Sequence, residues 1–560
     1  MICSPPALAC YAVIVGKDAS ADGAVLLGHN EQNGGERIIN LRVIPRIAHE
    51  PGSTVTLANG GQLPEVSETY SFIWSENPGL SFSDAYVNEW GVAVVSDGCP
   101  TREDSYQTLV ARGQIVDGGI SYMLRRLVVQ RATTAREGVL LAGELLDQFG
   151  YSDSGRTLVI ADPNEAWLLS IVRGKHWLAQ RVPDNGVVLL PNVHIICEVD
   201  LEDTANFIGS PDIVEYAISR GWYDPNGGEP FSFRAAYNSW QGVDVRQSWG
   251  QRLVTGEPPD PALEQLPFAV IPEHPFTVQD VLAVLRDHQV GICNSATQEA
   301  AVFQLRSWLP PAIGCVYWRV FAEPCVGLMV PWYVGITETP QAYYKPVDVI
   351  EHLTLSYHFN PPAGTFSYDP ELAWWHFKSF QDLVNQQFRS SAQDVRAAWD
   401  GFEASFLAQQ PSVDARALEL FAEAQMGART YLTSYCAGLA LQAIDLTDQM
   451  ADALAAGTPL PTTVAAQPAT EQPSAFVLSQ NWPNPFNAAT TIAYALPHAA
   501  DVTLTVYAVT GQKLATLVSE HQSPGQHLVT WSGAHLASGL YTYRLNAGPA
   551  EVVRRMTLMK

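Results

Sequence analysis

Apolar residues fill Tyr11 to Val15, give way to the turn-forming stretch Gly16-Lys17-Asp18-Ala19-Ser20-Ala21-Asp22-Gly23, and return from Ala24 to Leu27. Short apolar runs bounded by turn formers predict strands, so this segment reads as a β-hairpin. Further strand-like runs occupy Gly91 to Val95, Thr157 to Ala161, Ala166 to Val172 and Val187 to Leu190. Between them, Ser121 to Gln130 and Val139 to Phe149 carry apolar positions at helical period. The layout up to this point is mixed α and β. Residues 371 to 455 turn alanine-, leucine- and glutamine-rich, which predicts helices. From 456 to 475 the chain is mostly Gly, Pro, Thr and Ala with little to bury, as in an extended linker. Beyond it, residues 476 to 560 alternate polar and apolar, as in Val502-Thr503-Leu504-Thr505-Val506, with turns at Thr510-Gly511 and Pro524-Gly525. That pattern predicts a small all-β sandwich.

Charge sharpens this division. The chain of 560 residues has a net charge of −25, although only 16% of its residues are charged. Residues 476 to 560 hold five Lys or Arg against three Asp or Glu, so the acidity lies entirely in the N-terminal part. No broad basic face exists to neutralise phosphates, which argues against nucleic-acid binding. No apolar stretch approaches the roughly 18 residues that a spanning helix needs, so no transmembrane segment is expected. The eight cysteines, at positions 3, 10, 99, 197, 293, 315, 325 and 436, form no Cys-x-x-Cys pair and no metal-like grouping with His along the chain. They read as small buried hydrophobes, or in an exported protein as disulfide partners; neither a zinc site nor any other cofactor is expected.

Cys10 has a separate reading. Ala7-Leu8-Ala9 is the small-x-small pattern cut by signal peptidase, and cleavage after it makes Cys10 the first residue, with 1–9 a residual leader. A lipidation signal is the rival reading, disfavoured because Ala7 stands where a large aliphatic residue is preferred. A thiol is a good nucleophile only as thiolate, and its ordinary pKa of about 8.5 calls for a base. A chain-terminal Cys carries one. Its own α-amino group, with a pKa of about 8, can take the thiol proton and later return it to a leaving amine.

The run Cys10-Tyr-Ala-Val-Ile-Val-Gly-Lys-Asp-Ala-Ser-Ala-Asp-Gly23 resembles the start of the bacterial dipeptidase A and secernin family. The similarity continues through Asn88-Glu89-Trp90-Gly91-Val92, Lys175-His176-Trp177, Arg181-Val182-Pro183-Asp184, Pro191-Asn192, Leu285-Arg286-Asp287-His288 and Ala373-Trp374-Trp375, covering about residues 10 to 450. It implies an α+β fold, an αββα sandwich of N-terminal-nucleophile hydrolase type, in the domain 10–455. Through the related acylases, Asn192 resembles the asparagine that helps hold a tetrahedral oxyanion; from local sequence alone it is equally a turn residue at a strand end. Near Ser96-Asp97-Gly98 a backbone N–H stands as the second donor, the alternative being an ordinary tight turn. Where the acylases read Gly-Arg-Asn-x-Asp, this chain has Gly28-His29-Asn30-Glu31-Gln32, so His29 or Glu31 is expected to meet the free amine of Cys10 or of a substrate. The candidate site is thus Cys10, Asn192, Asp97, His29 and Glu31. Arg234 reads more readily as a surface arginine than as the acylases' distal arginine, and Arg286-Asp287-His288 as structural or gating residues of a helix.

The C-terminal segment, with Gln480-Asn481-Trp482-Pro483-Asn484-Pro485-Phe486-Asn487 and Ser538-Gly539-Leu540-Tyr541, is similar to the type A sorting domain of the type IX secretion system. It implies export across the outer membrane, to the surface or outside, with the secretion machinery as partner. The expectation is a secreted dipeptidase acting on short unblocked peptides. The alternatives are an acylase for non-peptide amides and a catalytically inactive surface binding protein of the same fold.

Overall fold

The computed structural model describes residues 10–33, 37–82, 84–462, 475–481, 484 and 486–558. The leader 1–9 and most of the linker 456–475 lie outside the described residues. The predicted hairpin is present: strand Tyr11–Val15 pairs antiparallel with Val25–Gln32. It sits in the middle of a six-stranded antiparallel sheet, in the spatial order Val187–Leu190, Tyr11–Val15, Val25–Gln32, Thr297–Leu305, Cys315–Phe321, Met329–Tyr333. An eight-stranded antiparallel sheet runs Phe207–Gly209, Trp177–Arg181, Ala166–Ile171, Arg156–Ala161, Ala93–Gly98, Ala85–Asn88, Phe72–Glu76, Asn40–Ile44.

The two sheets share one core. Ile14 and Phe303 of the six-stranded sheet cluster with Ile73, Val87, Val95 and Val159 of the other. Alternate residues of the eight-stranded sheet, Trp74, Tyr86, Val94 and Ile160, form a second core with the helices Met123–Arg131 and Ala135–Phe149. This is the period-two alternation that a sheet with two covered faces requires. Helix Val278–Leu285 covers the opposite face of the six-stranded sheet, and it comes so close that a Cβ at Gly28 would collide with the Val281 side chain. Helices Ala373–Gln386, Phe388–Glu423 and Gln425–Ala456 add to the same side.

Residues 475–558 carry a separate core of Ile492, Tyr494, Leu504, Val506, Tyr543, Leu545 and Met556, enclosed by a three-stranded and a four-stranded antiparallel sheet. This unit leans on helix Gln425–Ala456, where Thr430 and Ser479 exchange a hydroxyl hydrogen bond of 3.3 Å and Ser434 Oγ donates to the Ala475 carbonyl at 3.2 Å. Arg554 pairs with Glu338 across the same junction.

Two local expectations change. Asp97-Gly98 ends the strand Ala93–Gly98 and forms no tight turn. Arg286-Asp287-His288 lies beyond the helix, which ends at Leu285 with Arg286 as its C-cap.

Candidate active site

The strand pairing determines what Cys10 meets. Tyr11 stands opposite Asn30 and Ala12 opposite His29, so one further step of the register sets Cys10 against Glu31. Cys10 is partly buried, and its Sγ donates to Glu31 Oε1 at 3.1 Å. Glu31 also accepts from Asn33 Nδ2 at 2.8 Å. Alternation along Val25–Gln32 then sorts the neighbours. Asn30 Nδ2 donates to the carbonyls of Leu285 and Ile292, and Gln32 Nε2 to that of Ile292, on the side of helix Val278–Leu285. His29 and Glu31 take the other side, facing the eight-stranded sheet.

There they meet Asp97. The ligand atoms of Cys10, His29 and Asp97 lie within 4.8 Å of one another, and His29 Nε2 is 3.8 Å from Asp97 Oδ1. Both oxygens of Asp97 and both ring nitrogens of His29 are buried without a hydrogen-bond partner among the described residues. Unpaired buried polar groups are costly, and such a concentration marks a place that awaits a ligand or a change in the chain.

Asn192 follows strand Val187–Leu190. Arg246 Nη2 donates to Asn192 Oδ1 at 3.0 Å, and Arg246 Nη1 to the Cys10 carbonyl at 3.2 Å. An arginine can only donate, so this contact identifies the Asn192 oxygen and turns its amide nitrogen away from Arg246. A β-carbon at Gly98 would stand 4.0 Å from Asn192 Nδ2; the missing side chain leaves that space free. Arg246 is itself held by its helix, Val245–Thr255, whose N-cap Asp244 accepts from the Arg246 backbone N–H at 2.8 Å. Asn238 fastens the other side of the turn, exchanging two hydrogen bonds of 3.0 Å with the backbone of His194.

The structure therefore brings together Cys10, His29, Glu31 and Asp97, with Asn192 joined to Cys10 through Arg246. Sequence reasoning missed Arg246; Asp244 at the N-cap could have marked the start of its helix, but nothing local shows where the helix points. Arg234, read as a surface residue, is 1% exposed, and its guanidinium donates to the Gly242 carbonyl.

Electrostatics set the protonation. Burial, then the carboxylates of Glu31 and Asp97, push the Cys10 thiol well above its ordinary value. Burial lifts Glu31 to about 7, although its hydrogen bond from Cys10 and the charge of Arg125 act the other way. Asp97 is raised well above the usual carboxylate range by burial and by Glu31. His29 falls to about 3, first by burial and then by the nearby Arg125, so it is neutral near pH 7 and forms no ion pair with Asp97. As a peptide-linked residue Cys10 is thus a protonated thiol hydrogen-bonded to Glu31 and surrounded by acids.

Curated relatives share much of this chain. A probable dipeptidase of Salmonella dublin is 26% identical over 371 residues, which is 61% of this chain and 83% of the relative. A dipeptidase of Bifidobacterium longum is 27% identical over 388 residues, or 60% and 72% of the two chains. A probable dipeptidase B of Streptococcus pyogenes is 23% identical over 441 residues, covering 72% and 84%. Residues 480–559 match the secretion system C-terminal sorting domain, which directs type IX export to the cell surface or outside. No helix of the described residues is long and apolar enough to cross a membrane. Residues 9–294, which include the hairpin, Asp97, Asn192 and Arg246, match peptidase family C69, and the chain belongs to that family.

Proposed function

We propose that the chain is an exported cysteine dipeptidase of N-terminal-nucleophile type, active once residues 1–9 are removed. The observation that carries this reading is the Cys10 thiol bonded to Glu31 beside an unpartnered, buried Asp97. Cleavage before Cys10 creates an α-amino group at that spot. It supplies a base within the same residue as the thiol and a cation directly beside two buried acids.

In the proposed reaction the amine takes the thiol proton, and sulfur bonds to the peptide carbonyl carbon. Asn192 Nδ2 and a backbone N–H near Gly98 receive the oxyanion. The tetrahedral adduct collapses to a thioester as the C–N bond breaks and the ammonium returns its proton to the leaving amine. Water, deprotonated by the same amine, then attacks the thioester and releases the acid and the thiol. Arg246 positions Asn192 and Cys10 from outside. An 860 Å³ cavity beside Asn33, lined in part by Gln298, Trp374, Trp375, Lys378 and Asp382, has room for a short peptide. The division into a catalytic part at 10–455, a linker at 456–475 and a sorting domain at 476–560 belongs to the same proposal.

Mass spectrometry of the exported protein, combined with assays on free and N-acetylated dipeptides, tests this reading. The expected result is an N-terminal Cys10, hydrolysis of free dipeptides and much slower hydrolysis of acetylated ones. Equal rates favour an amidohydrolase for other amides. No hydrolysis of either, with Cys10 at the N-terminus, favours a binding protein.

A further inference from the structure

A second group of chemically matched side chains lies beyond the C-terminal end of helix Val278–Leu285. The loop after that helix carries His288 and Cys293; the turn between strands Cys315–Phe321 and Met329–Tyr333 carries Glu323 and Cys325. One imidazole nitrogen, two sulfurs and one carboxylate oxygen lie within 4.8 Å of one another. Cys293, Glu323 and Cys325 are buried and His288 is exposed, so the group closes on three sides and opens on the fourth.

From this convergence we propose that His288, Cys293, Glu323 and Cys325 bind one zinc ion as a structural site. The donor set is the argument: two thiolates, an imidazole and a carboxylate suit a tetrahedral zinc ion, and four protein ligands leave no open position for catalysis. Supporting contacts surround the ligands. Asn385 Nδ2 donates to Glu323 Oε2 at 2.8 Å, which holds the carboxylate and leaves Oε1 for the metal. The Cys293 N–H donates to the Asp287 carbonyl at 2.8 Å, folding the loop back on itself. His288 packs edge-on against Phe388, with ring centroids 5.4 Å apart. A 480 Å³ cavity lined by His288, Cys325, Phe388 and Arg396 reaches the group from outside and provides a route of entry. Sulfur binds zinc as thiolate. Each thiol gives its proton to solvent as the ion binds.

The site joins two segments that are remote in sequence. It would clamp the 286–296 loop to the strand turn, and the carbonyl of Ile292 in that loop receives the amides of Asn30 and Gln32. The metal would thereby stiffen the support behind the strand that carries Glu31 while touching none of the reacting groups.

Cobalt(II) titration of the reduced Cys10→Ala chain, in which the Cys10–His29–Asp97 group has lost its thiol, tests the proposal. One equivalent should bind with the visible bands of tetrahedral cobalt and a sulfur-to-cobalt charge-transfer band, and zinc should displace it. Cys325→Ser should weaken the charge-transfer band. His288→Ala, at an exposed position that does not endanger folding, should shift the visible bands and weaken binding at least as much as Asn385→Ala, for which about 10–100-fold is expected. Three results would each overturn the proposal: no charge-transfer band in reduced, folded protein, a cobalt spectrum unchanged by His288→Ala, or a Cys293–Cys325 disulfide in peptide maps of the exported protein.

Discussion

Glu31 and Glu76 are both buried glutamates on strands of the two facing sheets, yet their surroundings drive them in opposite directions. Glu76 is fully satisfied. His352 Nε2, His358 Nδ1 and Asn40 Nδ2 all reach its two oxygens. Arg42 donates to His352 Nδ1, which leaves the proton of that ring on Nε2, aimed at Glu76. Burial alone would raise Glu76, but His352 and His358 hold it down at about 2. Among the described residues Glu31 receives only a thiol and an amide, and it stands near Asp97 and Glu299, so burial wins and lifts it to about 7. One glutamate has its cations built into the fold. The other has no cation bonded to it among the described residues, and that difference separates a structural carboxylate from one arranged for chemistry.

The largest effect should come from removing the group that Glu31 serves. Cys10→Ala should abolish turnover and thiol labelling at the mature N-terminus, and full activity in that variant would show that the nucleophile lies elsewhere. Glu76→Gln should destabilise the fold by about 3–5 kcal/mol, because it leaves His358 as an uncompensated buried charge; denaturant titration checks this, and an unchanged midpoint would erase the contrast. Asn192→Ala should lower kcat by about 10²–10³-fold with little change in KM, the signature of a lost oxyanion donor. A matching rise in KM would make Asn192 a substrate-binding residue instead.

The smallest effect sharpens the comparison by its sign. A carboxylate raised to about 7 when folded binds more protons than the unfolded chain does above its ordinary value, so Glu31 costs stability as pH rises through that window. Glu31→Gln in the unprocessed Cys10→Ala chain, which has no amine at residue 10, should therefore add about 1–3 kcal/mol at pH 8 and almost nothing at pH 4. Glu76 behaves in reverse. Its lowered value contributes stability that is present above the ordinary carboxylate range and is lost as pH falls toward about 2. Chemical denaturation of both variants at several pH values distinguishes the two slopes; parallel curves would mean that the two environments are equivalent.

The sequence disclosed features that depend on near neighbours. The hairpin was legible because Tyr11–Val15 is apolar throughout and Gly16–Gly23 is dense in turn formers. Glu31 entered the candidate list through its place in a motif, and the register of that hairpin is what delivers it to Cys10. Asp97 was singled out for a backbone N–H, whereas the structure adds its two unpaired carboxylate oxygens, a feature created only when the second sheet stacks on the first. Arg246 lies 236 residues from the carbonyl it contacts, and no local pattern reports such a meeting. The cysteine count argued against a metal because it considered spacing along the chain, while His288 and Cys293 meet Glu323 and Cys325 from two separate loops.

The strand Val25–Gln32 carries its two jobs on alternate residues, Glu31 and His29 on one side, Asn30 and Gln32 on the other. In evolutionary terms this makes it intolerant of insertion. A single added residue before position 29 would exchange the two faces, turning the acid toward helix Val278–Leu285 and the amides toward Cys10. Descendants of this chain must therefore preserve the length of the strand that follows the Gly16–Gly23 turn.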